Sequence, residues 1–162
     1  WTLKSVDPLN LRLELRLNFD LLARASLICD CARVLTPEHH ESSETYDAVR
    51  GGLDLLIAGE AIAASQAYPL ILQSAGILPD TSQVRLETGK RYGLDFRSGM
   101  VGMVQQVRSA GRGFSAEVVR ALRGQTCTTA EGARELERLA VDWIQHQIGK
   151  RLASADVYLD LM

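Results

Sequence analysis

From Leu9 to Leu35 the chain sets its apolar residues in two periods that belong to different structures. Leu9, Leu11, Leu13, Leu15, Leu17 and Phe19 alternate with Asn10, Arg12, Glu14, Arg16 and Asn18, which is the period of a half-buried strand. None of these residues is β-branched, and Leu, Arg and Glu favour helix. From Leu17 onward, Leu17, Leu21, Ala25, Ile28, Ala32 and Leu35 fall on one helical face. Asp7-Pro8 offers a capping carboxylate followed by proline at the first helical position. The segment reads as a helix over 8–35, with a strand over 9–18 as the alternative. Its leucines occupy more than one side, and such a helix must be covered. Either it lies at the centre of its own bundle or a second copy packs on it.

Thr36-Pro37 ends this helix, and the polar stretch 38–43 reads as a loop. A second helix is expected to run to Ala67, with Tyr46, Val49, Leu53, Leu56 and Ala64 inward and a row of small residues at Gly59, Ala63 and Ala67. Pro69 restarts a short helix closed by Gly76. Residues 83–96 change character. Val84 and Leu86, then Tyr92, Leu94 and Phe96, alternate with polar positions on either side of Gly89. A hairpin with the loop Thr88-Gly89-Lys90 would set Leu86 opposite Tyr92 and Glu87 opposite Arg91. Ser98 is expected to open a helix carrying Met100, Met103, Val104 and Val107. Ser115 opens a short helix ending at Gly124. Thr128 and Glu131 form a capping box for a long helix to Leu152. The last residues, 155–162, alternate again, as a strand or as a tail packed by its leucines.

These expectations describe a mainly α (α+β) fold. It is a single helical domain over 1–162, a bundle of three long helices with short helices and a β-hairpin near residues 83–96. A chain of 162 residues can bury roughly 70% of its unfolded surface without metal or disulfide support. The longest apolar stretch, 53–64, is interrupted by Asp54 and Glu60 and is shorter than the ~20 residues that span a bilayer. No basic segment followed by an apolar run marks a signal peptide, and the start at Trp1 rather than Met leaves room for a leader or upstream segment before it. With three cysteines, an odd number, the sequence reads as a reduced cytoplasmic protein.

Charge is polarised along the chain. Residues 1–84 hold 6 basic and 11 acidic groups, residues 85–123 hold 8 and 3, and residues 124–162 hold 4 and 6. An anionic partner would meet the basic middle, through Lys90, Arg91, Arg97 and Arg112, with Arg108, Arg120 and Arg123 nearby. Tyr92, Phe96 or Phe114 could stack on bases there. Against this, a charge run is usually a solvated face, and a pI of 5.9 falls short of the usual nucleic-acid footprint.

The remaining candidates are sparse. Cys29, Cys31, His39 and His40 are metal-ligand types within a dozen residues. Two cysteines two positions apart on a helix point about 200° away from each other, so the expectation is buried thiols and no metal. His146-Gln147-Ile148-Gly149-Lys150 resembles the His-x-x-Lys-Gly motif of histidine-phosphotransfer domains over five residues, with Gly149 and Lys150 in reverse order. Beside that resemblance, His146 reads as an amphipathic residue at the edge of a stripe through Trp143. Thr88-Gly89-Lys90 shares only part of a P-loop tail. Glu135 with Glu137, and Glu41 with Glu44, read as solubilising charge. No catalytic or cofactor motif occurs, so no cofactor is expected. The sequence favours a non-enzymatic interaction or regulatory protein, a homodimer acting through helical surfaces. A nucleic-acid or phosphorylated-ligand binder is the alternative, and an enzyme on a helical scaffold is the third reading.

Overall fold

Asn18 divides the leucine-rich segment in two. The computed structural model describes residues 12–38, 42–107 and 113–159, and the Asp7-Pro8 cap lies outside them. Within them, Leu13–Leu17 forms a short 3-10 turn rather than a strand or the start of a long helix. Asn18 is extended, and its side chain accepts from the Asp20 and Leu21 N–H groups, opening α1 at Phe19–Leu35. An asparagine cap followed by Asp20 in the first turn starts a helix more firmly than the apolar period continues one. Arg12 takes a left-handed conformation (φ 45°) and reaches Asp54 Oδ1 at 2.7 Å. At the other end, the Thr36 N–H and hydroxyl both donate to the Ala32 carbonyl.

The second predicted helix is three. α2 spans Ser43–Ile57, α3 Ala61–Ala64 and α4 Ala67–Ser74. Gly59, expected in a packing row, has φ 80° and closes α2, a backbone position that glycine adopts without the Cβ penalty. The close approach falls about two turns earlier. A Cβ on Gly52 would lie 2.8 Å from that of Ala67, so Gly52 is what lets α2 and α4 pack. α4 ends before Gly76 as expected.

The hairpin exists but is displaced. β1 is Tyr92–Leu94 and β2 is Val101–Met103, antiparallel, with Gly93 opposite Gly102. The turn that reverses the chain is 95–100, not 88–90. Asp95 Oδ1 accepts from the Arg97 N–H, the Asp95 N–H donates to the Met100 carbonyl, and Gly99 sits at φ 72°. This aspartate turn with its glycine also overturns the helix expected from Ser98, because 101–103 is needed as a strand. Residues 84–87 do not pair with β1. Tyr92 is fully buried, its hydroxyl accepts from the Glu87 N–H at 2.8 Å, and it donates to the Arg85 carbonyl.

α5 spans Ala116–Leu122 and α6 spans Ala130–Ile148, ending at Gly149 (φ 67°) rather than at Leu152. The cap of α6 lies one residue past the predicted box. Thr129 Oγ1 accepts from the Gly132 N–H, while Thr128 turns to Glu117. The C-terminal segment is neither strand nor tail but a helix, α7, at Ala153–Leu159. Helix makes up 58% of the structure beside one small sheet, so the fold is mainly α with a minor β part. α1 contacts α2, α4, α6 and α7, and this covers much of its broad apolar surface. No described helix is long and apolar enough to cross a membrane.

Candidate functional site

The predicted site residues do not converge. Lys90 and Arg91 precede β1, whereas Arg97 lies in the turn beyond it, at the opposite end of the strand. Arg91 is engaged: it pairs with Glu135 at 2.6 Å and donates to the Gly113 carbonyl. Arg123 donates to the carbonyls of Thr81 and Val84 at 2.6 and 2.8 Å, tying the 81–84 turn to α5. Lys90, Arg97 and Arg120 are exposed. Arg108 and Arg112 lie outside the described residues. Of the three proposed stacking rings, Tyr92 and Phe114 are buried, and only Phe96 is partly open.

The other candidates separate in the same way. Cys29 is exposed and Cys31 buried, pointing apart on α1 as helical geometry requires. Burial pushes the Cys31 thiol up to about 12, which keeps it protonated and inert. His39 and His40 lie outside the described residues, among which no group of three or more metal-ligand side chains is assembled. His146 stacks on Trp143 at 5.8 Å and lies 5.2 Å from Phe96, so it belongs to an aromatic edge. The Trp143 indole N–H donates to the Ile77 carbonyl at 2.6 Å.

The structure gathers different residues. Glu137, expected to solubilise α6, is 3% exposed. Its Oε1 accepts from Arg24 Nη1 at 3.0 Å, and its Oε2 accepts from the Tyr158 hydroxyl. Arg24 also binds Asp20 through Nε at 3.1 Å, and its guanidinium lies over the Tyr158 ring, 5.2 Å from the centroid. Burial raises the Glu137 carboxyl above its ordinary range, against the opposing pull of Arg24 and Tyr158. Burial acts against the Arg24 charge too, but Glu137, Tyr158 and Asp20 outweigh it and raise its pKa. Tyr68 is buried nearby; desolvation first, and then the charge of Glu137, raise its phenol well above the usual value. Glu135 likewise leaves the polar face, accepting from Arg91 and from the Ser115 N–H at 2.8 Å.

This arrangement locks three helices together. Arg24 comes from α1, Glu137 from α6 and Tyr158 from α7, and Asp30 on α1 accepts from the Ser154 hydroxyl of α7 at 2.8 Å. Chemically, Arg24, Glu137 and Tyr158 satisfy one another, as a charged cluster inside a protein must be, while the buried Tyr68 hydroxyl beside them has no hydrogen-bond partner among the described residues. The signal for it was in the helical period. Glu137 lies four residues after Ala133 and three before Ala140, and Arg24 lies three after Leu21 and four before Ile28. Both charges therefore sit on apolar stripes. In comparisons with protein-family models, curated proteins and solved structures, none matches this chain.

Proposed function

We propose that the chain is a non-enzymatic interaction or regulatory protein that pairs with a second copy of itself. The reading takes residues 1–162 as one cytoplasmic helical domain, with α1, α2 and α6 as its three long helices. The observation that carries it lies at the entry to α1, where Leu13, Leu17, Phe19 and Leu22 are 53%, 87%, 62% and 39% exposed. Four large apolar side chains in water within ten residues of chain form a patch of the kind that marks contact sites. A stable dimer buries roughly 800 Å² on each partner, and a few such side chains at its centre carry most of the affinity. Glu14 and Arg16 stand between them, one charge of each sign that a two-fold interface can pair.

Sedimentation velocity of the full chain at micromolar concentration tests this. The expected result is a dimer that Leu17→Arg and Phe19→Glu each convert to monomer. A wild-type monomer across that range removes the reading. The alternative, a nucleic-acid or phosphorylated-ligand binder, draws on Lys90 and Arg97, which are exposed and whose side chains make no hydrogen bond or ion pair among the described residues. Charge reversal at both should then weaken oligonucleotide binding and flatten its salt dependence; unchanged affinity ends that alternative.

A further inference from the structure

We infer that the cleft between α1, α3 and α6 is a binding site for a small singly charged carboxylate with a short apolar chain. The cleft has a volume of about 210 Å³ and is lined by Asp20, Arg24, Ala61, Ile62, Ala130, Ala133 and Arg134. Two guanidiniums from different helices face it. Arg24 is held on two sides, by Asp20 through Nε and by Glu137 through Nη1, which leaves Nη2 without a protein partner among the described residues. Among the described residues Arg134 makes one side-chain hydrogen bond, from Nε to the Ala130 carbonyl at 3.2 Å, and neither of its Nη groups has a partner. A guanidinium fixed by a carboxylate behind it is pre-organised, and carboxylates are its natural forked acceptors.

Charge and size set the ligand class. Asp20 and Glu137 both engage Arg24, whereas Arg134 forms no ion pair among the described residues, so one guanidinium is left for one carboxylate. Ala61, Ile62, Ala130 and Ala133 supply the wall against which a short aliphatic stem would lie. The volume is below the ~300–1,000 Å³ of pockets that take drug-sized molecules, so the ligand is small. This site is separate from the proposed dimer patch. At about 100° per residue, Asp20 and Arg24 point to one side of α1 and Phe19 and Leu22 to another.

The test is calorimetric titration of the full chain with butyrate, butyl phosphate and inorganic phosphate. Saturable butyrate binding is expected, weakened about tenfold or more by Arg134→Ala, a change of about 1.4 kcal/mol or more. Arg134→Lys should retain part of it, and Ala61→Phe, which fills the cleft without removing charge, should abolish it. Arg134 is exposed, so its replacement should leave the circular dichroism unchanged. Lys90→Ala, Arg97→Ala and Leu17→Arg should have no effect, which keeps the outcome independent of the dimer and of the basic middle. The inference is overturned if butyrate fails to saturate or if Arg134→Ala leaves its affinity unchanged. It is also overturned if inorganic phosphate matches butyrate, because the apolar wall then does nothing, or if butyl phosphate binds tenfold tighter.

Discussion

Two glutamates on or beside α6 are held in opposite ways. Glu117, at the junction of α5 and α6, accepts from the Thr128 and Thr129 hydroxyls at 3.0 and 2.6 Å and from both of their N–H groups. Glu137, where α6 meets α1 and α7, accepts from one guanidinium and one phenol and is nearly out of water. Burial pushes each carboxyl up. At Glu117 the four donors overcome it and hold the carboxyl down at about 2. At Glu137 burial wins. Four donors at the surface therefore fix a charge more firmly than two partners in the interior, because desolvation grows faster with depth than hydrogen bonding compensates.

The largest effect should come from removing the cation of the interior cluster. Arg24→Ala leaves Glu137 buried without its partner, and urea unfolding at neutral pH should show a loss of about 3–5 kcal/mol. The loss should shrink as pH falls, since the stranded carboxyl escapes by taking a proton. A loss that is equal at pH 7 and pH 5 would contradict the account of Glu137. Next in size, Tyr158→Phe removes a hydrogen bond to a charged group and should cost about 1.5–3 kcal/mol. That cost should appear as earlier hydrogen exchange in α7 and not in α4, since Tyr158 anchors the C-terminal helix to α6.

The surface glutamate should respond to pH with the other sign. Its folded pKa is depressed from 4.5 to about 2, so its contribution is present above about 4.5 and lost as pH falls toward 2. Glu137 has a raised folded pKa, so its part of the stability grows as pH falls through that value toward 4.5. Glu117→Gln should therefore flatten the acid limb of a stability–pH curve, and Glu137→Gln the limb above it. Solvent screens part of the Glu117 effect, and Glu117→Gln should cost about 1–2 kcal/mol near neutrality, in the range of a lost helix cap. Chemical denaturation in steps from pH 3 to 7 measures both. A common slope in the two variants would erase the contrast between the sites.

The same two regions show how much was readable in advance. The helical class, the helix from Ser115 to Gly124 and the stop at Gly76 were legible from local signals, although the Ser115 hydroxyl makes no cap bond and only its N–H is engaged, by Glu135. The hairpin was readable as a change of period but not as a register. Gly89 and Gly99 both carry turn signals, and only the aspartate turn at Asp95 brings two strands together. Asn18 and Gly59 were local signals set aside in favour of a longer apolar period, and each ends or opens a helix. The interior cluster was half legible. The period places Arg24 and Glu137 on apolar stripes, but nothing local says that helices more than a hundred residues apart bring them within 3.0 Å. Glu117 was not legible at all, since its donors are eleven and twelve residues away across a turn.

Gly132 is where the surface site is most sharply tested. It sits in the first turn of α6, where alanine would ordinarily add about 1 kcal/mol of helix stability over glycine. Here a Cβ would overlap the Glu117 carboxylate, which lies directly over that position. Glu117 would have to swing away, and its bonds to Thr128 and Thr129 would weaken as it went. The gain and the loss are of similar size, so Gly132→Ala alone should destabilise by no more than about 1 kcal/mol. With Glu117→Ala already in place the obstruction is gone, and the same change should stabilise by up to about 1 kcal/mol. The sign reversal across this double-mutant cycle isolates the coupling between the two positions. Were Gly132→Ala to stabilise equally in both backgrounds, Glu117 would not rest on Gly132 in solution, and the four-donor account of its depressed pKa would fall with it.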